Sequence, residues 1–214
     1  MAGLLVAGTV WGESPLYWAI TNNDALQVWK LTAPGGPPEV LDENGLTPPA
    51  WAVERGSAEV IEVLAWRGVA LNQVDQHGRN LLFGAAALGR MDLFDRILAA
   101  GASVDQIDDR GLTVVHAAAT APHLEALRWL LARALSATGR STLGVTPLMT
   151  ACGAGRADAV ELLLRWGAVP EDQDYLGRSV LDYAEGSGDP ATIRAVESAL
   201  TPWSISPDDG APLP

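Results

Sequence analysis

Short apolar blocks at helical spacing alternate with glycine and polar turns along nearly the whole chain. In Val60, Ile61, Val63 and Leu64, in Leu93, Phe94, Ile97 and Leu98, and in Val160, Leu163 and Leu164, the apolar positions fall on one side of a helix. Glu161 and Arg165 mark the opposite side of the last. A shorter helix is predicted ahead of it. Thr146 can accept from the first free backbone N–H groups, and Pro147 suits the next position because its missing N–H would have no intrahelical partner. That helix should run to about Ala154 and stop at Gly155, which tolerates the left-handed geometry of a helix end, and Gly167 should close the second in the same way.

The unit recurs. Gly144 has counterparts at Gly12, Gly45, Gly78, Gly111 and Gly177, each 33 residues from the next, and an alanine follows seven residues after every one, at Ala19, Ala52, Ala85, Ala118, Ala151 and Ala184. Neither helix is long enough to be stable alone, and one pair cannot bury its apolar face. The units must stack into a solenoid.

The helix starts read Ser14-Pro15-Leu16-Tyr17-Trp18-Ala19, Thr47-Pro48-Pro49-Ala50-Trp51-Ala52, Thr113-Val114-Val115-His116-Ala117-Ala118 and Thr146-Pro147-Leu148-Met149-Thr150-Ala151, with Asn80 and Ser179 capping the other two. Gly101-Ala102 and Gly167-Ala168 follow second helices, and Asp42, Asp75, Asp108 and Asp174 stand in the turns. On these residues the chain resembles the ankyrin repeats, whose period is 33 and whose signature is Thr-Pro-Leu-His-x-Ala. The resemblance covers residues 12 to about 200 and implies an all-α fold. It would be an ankyrin-repeat solenoid of stacked helix-turn-helix units with β-turn or hairpin fingers. Six repeats would start near 12, 45, 78, 111, 144 and 177, after an N-terminal segment or stub of a preceding repeat at 1–11 and before a Pro-rich, mobile tail, 201–214.

Two stretches depart from the pattern. Pro34, Gly35, Gly36, Pro37 and Pro38 predict an extended connection. Ala134-Leu135 replace the Gly-Ala pair and Ser141 replaces the turn aspartate. They predict a helix from Leu124 that runs on past Ala132, an irregular loop and a loosely pinned finger. Asp189 and Pro190 should cap the last helix. Trp18, Trp51 and Trp129 are read as core, and Trp66 and Trp166 as lying on the outer side of second helices.

Charge narrows the partners. The 214 residues carry 26 acidic against 14 basic side chains, a net charge of −12, which argues against nucleic acid or an anionic membrane and for a basic protein. Lys30 is the only lysine in a chain rich in Arg, Ala and Gly, as GC-rich bacterial genomes encode. Residues 1–11 are apolar but too short to span a membrane, and they lack the basic start of a secretory signal. The expected compartment is the cytoplasm, or the periplasm if an upstream signal was removed.

Chemistry is sparse. Cys152 is the sole cysteine, so no internal disulfide can form, and it reads as a buried, inert thiol. The resemblance gives His116 the task of tying adjacent turns together. His77 and His123 are scattered, without carboxylates in register for a metal. Catalysis would fall to Cys152 with His116, or to the carboxylates near Asp108. No cofactor is expected.

The resemblance further implies binding through the fingers and the adjoining, concave face of the first helices. Carried over by position, the finger residues are Val10, Trp11 and Glu13; Glu43, Asn44 and Leu46; Gln76, His77 and Arg79; Asp109, Arg110 and Leu112; Thr142, Leu143 and Val145; and Tyr175, Leu176 and Arg178. Leu112, Leu143, Val145, Tyr175 and Leu176 are apolar where polar residues would serve a purely structural array, so they either mark an interaction site or pack finger against finger. The candidate partner-binding set is these five with Arg178, Asp109, Arg110, His77 and Arg79. Asp105, Asp108, Asp109, Glu171, Asp172 and Asp174 are read as turn formers, a solvated face or an acidic docking rim. The expected function is a non-catalytic interaction module, monomeric when free, with an immunity-type inhibitor of a basic toxin as its most concrete form. A regulator or protector of a partner enzyme and a self-associating scaffold are the alternatives.

Overall fold

The computed structural model describes residues 14–32, 46–55 and 58–201. The expectations for the N-terminal segment, for Val10, Trp11, Gly12 and Glu13, for the connection at 34–38, for Asp42, Glu43, Asn44 and Gly45, and for the tail from 202 onward lie outside those residues.

Among the described residues there are twelve helices in six pairs. The first helices are α1 (Pro15–Thr21), α3 (Pro48–Arg55), α5 (Leu81–Ala87), α7 (Val114–Ala118), α9 (Pro147–Gly153) and α11 (Val180–Ser187). The second helices are α2 (Ala25–Leu31), α4 (Ala58–Trp66), α6 (Met91–Ala99), α8 (Glu125–Ala132), α10 (Ala157–Arg165) and α12 (Pro190–Leu200). Their ends follow local chemistry. Asn80 Oδ1 accepts from the Leu82 N–H at 3.0 Å, Thr146 Oγ1 from the Met149 N–H at 3.3 Å, and Asp189 Oδ2 from the Thr192 N–H at 2.8 Å. Ser179 and Asp182 satisfy each other's backbone N–H in a capping box.

Each first helix packs on the next, α1 on α3 and so on to α11, so the inner row is continuous. The repeated alanine sits where these helices meet: Ala19, Ala52, Ala85, Ala118, Ala151 and Ala184 are all buried. Second helices supply the bulk. Ile61, Leu64, Leu93, Phe94, Ile97, Leu127, Leu130 and Leu163 are fully buried, whereas Val63, Leu98 and Leu164 are half-buried at its margin. The solenoid expected from the repeat is therefore the observed fold.

Three local expectations are corrected. The helix α8 stops at Ala132, and Ala134 adopts the left-handed conformation, φ 59°, that glycine takes at Gly101 and Gly167. An alanine there is strained by about 1–2 kcal/mol relative to right-handed geometry, yet the turn keeps its shape. The following finger is not loose either: Ser141 is buried, and its Oγ accepts from the N–H groups of Leu143 and Val145 at 3.3 and 3.1 Å, as the turn aspartates do elsewhere. Trp18 is exposed, because it faces the open side of α1 while Leu16, Tyr17, Ala19 and Ile20 carry the core. Trp51, in the same register, is only half-buried; its Nε1 donates to Thr21 Oγ1 at 3.0 Å and it meets Tyr17 edge-on. Trp129 is half-buried too, edge-on to Phe94 and beneath the Arg133 guanidinium.

Between the pairs the chain makes hairpin fingers. Asp75, Asp108, Ser141 and Asp174 each donate their N–H to the carbonyl four residues on, at 2.8–3.0 Å. The fingers are joined by single backbone rungs: Asp109 N–H to His77 O, Thr142 N–H to Arg110 O and Tyr175 N–H to Leu143 O, at 2.8–2.9 Å. That approach requires glycine at the bend. A Cβ on Gly144, φ +77°, would lie 2.8 Å from the Tyr175 ring. His116 adds a side-chain tie, as expected: Nδ1 accepts from the Thr113 N–H at 3.0 Å, leaving Nε2 to donate to Val145 O at 3.1 Å.

Two predictions follow from this packing. Ala118→Leu should overfill the inner row and lower unfolding free energy by about 1–3 kcal/mol in urea titrations, whereas Ala132→Leu, on an exposed position, should not. The second concerns acid. Burial works against the charge of Asp174, but the Arg178 N–H, the Tyr183 hydroxyl, the Arg178 guanidinium and the Leu176 N–H hold its pKa down at about 2 from the ordinary 3.8. A pKa depressed by folding stabilises above the unfolded value and ceases to do so as pH falls through the folded one. The urea midpoint should therefore drop between about pH 4 and pH 2. Asp174→Asn should have a lower midpoint at pH 7 and a shallower fall.

Candidate protein-binding face

The fingers and the open sides of the first helices bound one concave face. Asp108 and Asp174 were read as possible rim charges, but both are buried turn formers. Asp108 Oδ1 accepts from the N–H groups of Arg110 and Leu112, and Asp174 Oδ1 from those of Leu176 and Arg178, at 2.8–2.9 Å. Asp75 does the same for His77 and Arg79. Its pKa is lowered: burial opposes the charge, and the Arg79 and His77 contacts outweigh it. Asp105, Asp109 and Glu171 are exposed, while Asp172 is paired with Arg140, which also donates to Gly144 O and Gln173 O.

The ten candidate residues divide into four groups. Leu143, Tyr175 and Leu176 project from the tips of the last two fingers and are 51%, 68% and 68% exposed. His77, Asp109 and Arg110 are exposed at the tips of the preceding two, joined to them by the same backbone rungs. Arg79 and Arg178 are folded back onto Asp75 and Asp174, with Arg178 also over the Tyr183 ring. The two others are less exposed than a free apolar finger requires. Val145 packs against the core, and Leu112 is half-buried in the wall of a concave cavity.

That cavity, about 450 Å³, spans the units from α3 to α7 and reaches Thr150 on α9. Val53, Phe83, Gly84, Ala87 and Ala117 form its apolar part, and Glu54, Arg79, Asp108 and Arg110 bring charge to it. It was missed in the sequence because part of its lining is what is lacking, bulk at Gly84 and Ala87 on α5 and at Ala117 on α7, where Ala117 is the equivalent of Gly84. A second cavity of about 920 Å³ opens on the outer side, between α2, α4 and α6, lined by Trp29, Val63, Trp66, Val69 and Leu71. Trp66 and Trp166 are both exposed there and farther along the outer row, as read from their position. Trp29 was not singled out; the Arg67 guanidinium lies 4.1 Å from its ring centre.

The groups considered for catalysis are otherwise engaged. The Cys152 thiol is fully buried, and burial pushes its pKa up to about 12. Burial lowers the pKa of His116, whose two ring nitrogens hold neighbouring fingers together. Among the described residues, no group of three or more His, Cys, Asp or Glu is placed to hold a metal ion, and no helix is long and apolar enough to cross a membrane.

No curated protein matches the chain. A family model for ankyrin repeats, three copies long, matches it twice, over residues 16–108 and 82–174. The sixth unit extends past those matches with the same 33-residue phase, cap and finger. Ankyrin repeats are generally protein–protein interaction modules, and typically not enzymes. In phase, in packing and in the finger ladder, this chain belongs to the ankyrin-repeat family.

Proposed function

We propose that the chain is a non-catalytic binding module that takes one basic protein on its concave finger face. The observation that carries this reading is the cluster of Leu143, Tyr175 and Leu176, large apolar side chains held in the open on a backbone ladder. His77, Arg79, Asp109, Arg110 and Arg178 flank it as the polar surround of the same face. A net charge of −12 favours a basic partner by raising the rate of encounter more than the strength of the final contact. An interface of ordinary size, about 1,200–2,000 Å², would extend over several fingers. Its concrete form is an immunity-type inhibitor that neutralises a basic toxin by occlusion, monomeric until it meets that toxin.

The test is affinity capture at low and moderate salt, comparing the natural chain with a Leu143→Asn, Leu176→Asn variant. Both side chains are exposed, so circular dichroism and the melting temperature should not change. The natural chain should retain one basic protein, more weakly as salt rises, and the variant should lose at least about thirtyfold in affinity. Equal retention by both forms would move the interface off the finger tips.

A further inference from the structure

Two of the turn aspartates bind a guanidinium from their own finger. Asp75 Oδ2 accepts from Arg79 Nε at 3.0 Å and Nη2 at 2.8 Å. Asp174 Oδ2 accepts from Arg178 Nε at 2.8 Å, has Nη2 at 2.7 Å, and takes the Tyr183 hydroxyl as well. At the equivalent place in the Asp108 finger the chain has Leu112. Asp108 Oδ1 is satisfied as in the other two, but Oδ2 has only Arg110 Nη2 at 3.4 Å, from a side chain that is 69% exposed. The Asp108 side chain itself is 2% exposed, so water cannot make up the difference freely.

Asp108 is among the residues that line the concave cavity. Around it stand three carboxylates, Glu54, Asp75 and Asp108, against two guanidiniums, Arg79 and Arg110, and His116 is held neutral by burial. Leu112, Phe83, Ala87 and Ala117 supply apolar wall beside the charge.

We propose that an arginine side chain of the protein partner enters this cavity and takes on Asp108 the place that Arg79 takes on Asp75 and Arg178 on Asp174. The inference rests on the reading of the concave face as a protein-binding surface. A guanidinium fits because Nε and Nη2 can both reach Oδ2, the arrangement the molecule already makes twice, and because its fixed fork is set before it binds. Its stem lies against Leu112 and Ala117, and its charge balances the lining. Arg110, loosely held and largely in solvent, turns outward to admit it.

The test uses the isolated full chain and the capped tripeptide acetyl-Gly-Arg-Gly-amide, with its lysine and citrulline counterparts, followed by the methyl resonances of Ala87, Leu112 and Ala117. The arginine peptide should shift these resonances and bind about tenfold more tightly than the uncharged citrulline peptide, with the lysine peptide between them. Leu112→Arg should supply the missing guanidinium internally, keep the melting temperature at or above that of the natural chain, and abolish peptide binding. Should that variant not fold, Asp108→Asn, which keeps an oxygen for the Arg110 and Leu112 N–H groups, should weaken the arginine peptide about tenfold. Equal binding of arginine and citrulline peptides, no shift at the three methyl groups, or undiminished binding by the variant would each overturn the assignment. Because the titration needs no native partner, a failed capture beside a positive titration removes the basic-protein reading alone, and the converse removes only the arginine site.

Discussion

No unit of this chain can bury its own apolar face, and the contact that resolves this is the meeting of successive first helices over one small side chain. The alanine found seven residues after each finger glycine is buried in all six units. A larger residue would hold neighbouring helices apart and with them the second helices that carry Phe94, Leu127 and Leu163. The fingers depend on the same spacing. Only when adjacent units stand at a constant interval can Asp109, Thr142 and Tyr175 each reach a carbonyl of the preceding finger.

Much of this was legible because the interval is constant. Caps at Asn80, Thr146, Ser179 and Asp189, the left-handed glycines and the inward faces of the second helices are local consequences of residue type, and local chemistry placed them. What escaped depends on equivalence across units. A repeat says that Trp18 and Trp51 share a position, but not that the position faces the groove. It says that Ala134 and Ser141 break a motif, but not that an alanine can take left-handed geometry or that a serine oxygen can accept the same two N–H groups as aspartate. Of the candidate site, Leu143, Tyr175 and Leu176 stand in the open at the finger tips. Leu112 and Val145 are half-buried, one in the cavity wall and the other against the core, and a single repeat does not say how far each will be covered.

Charge has to be divided in the same way. A sequence counts Asp75 and Asp174 with the surface acids, yet each spends its oxygens on its own finger and is unavailable to a distant partner in the ordinary sense. Exposed acids such as Asp105, Asp109 and Glu171 contribute instead to the long-range field. Between these classes lies Asp108, structural through one oxygen and incompletely satisfied through the other. One leucine in place of an arginine makes that difference.

The rungs between fingers run from main-chain N–H to main-chain carbonyl, with the Thr142 hydroxyl a second donor to Arg110 O, and the residues whose carbonyls accept them are His77, Arg110 and Leu143, with Leu176 next in the same register. A cation, an imidazole and two aliphatic groups thus occupy equivalent sites without disturbing the ladder that holds them. The scaffold is indifferent to what is written at its tips. Selection can therefore exchange one target for another by point substitution at these four sites. Duplication or loss of a whole unit would lengthen or shorten the reading frame of the face by one letter and leave every remaining rung in place.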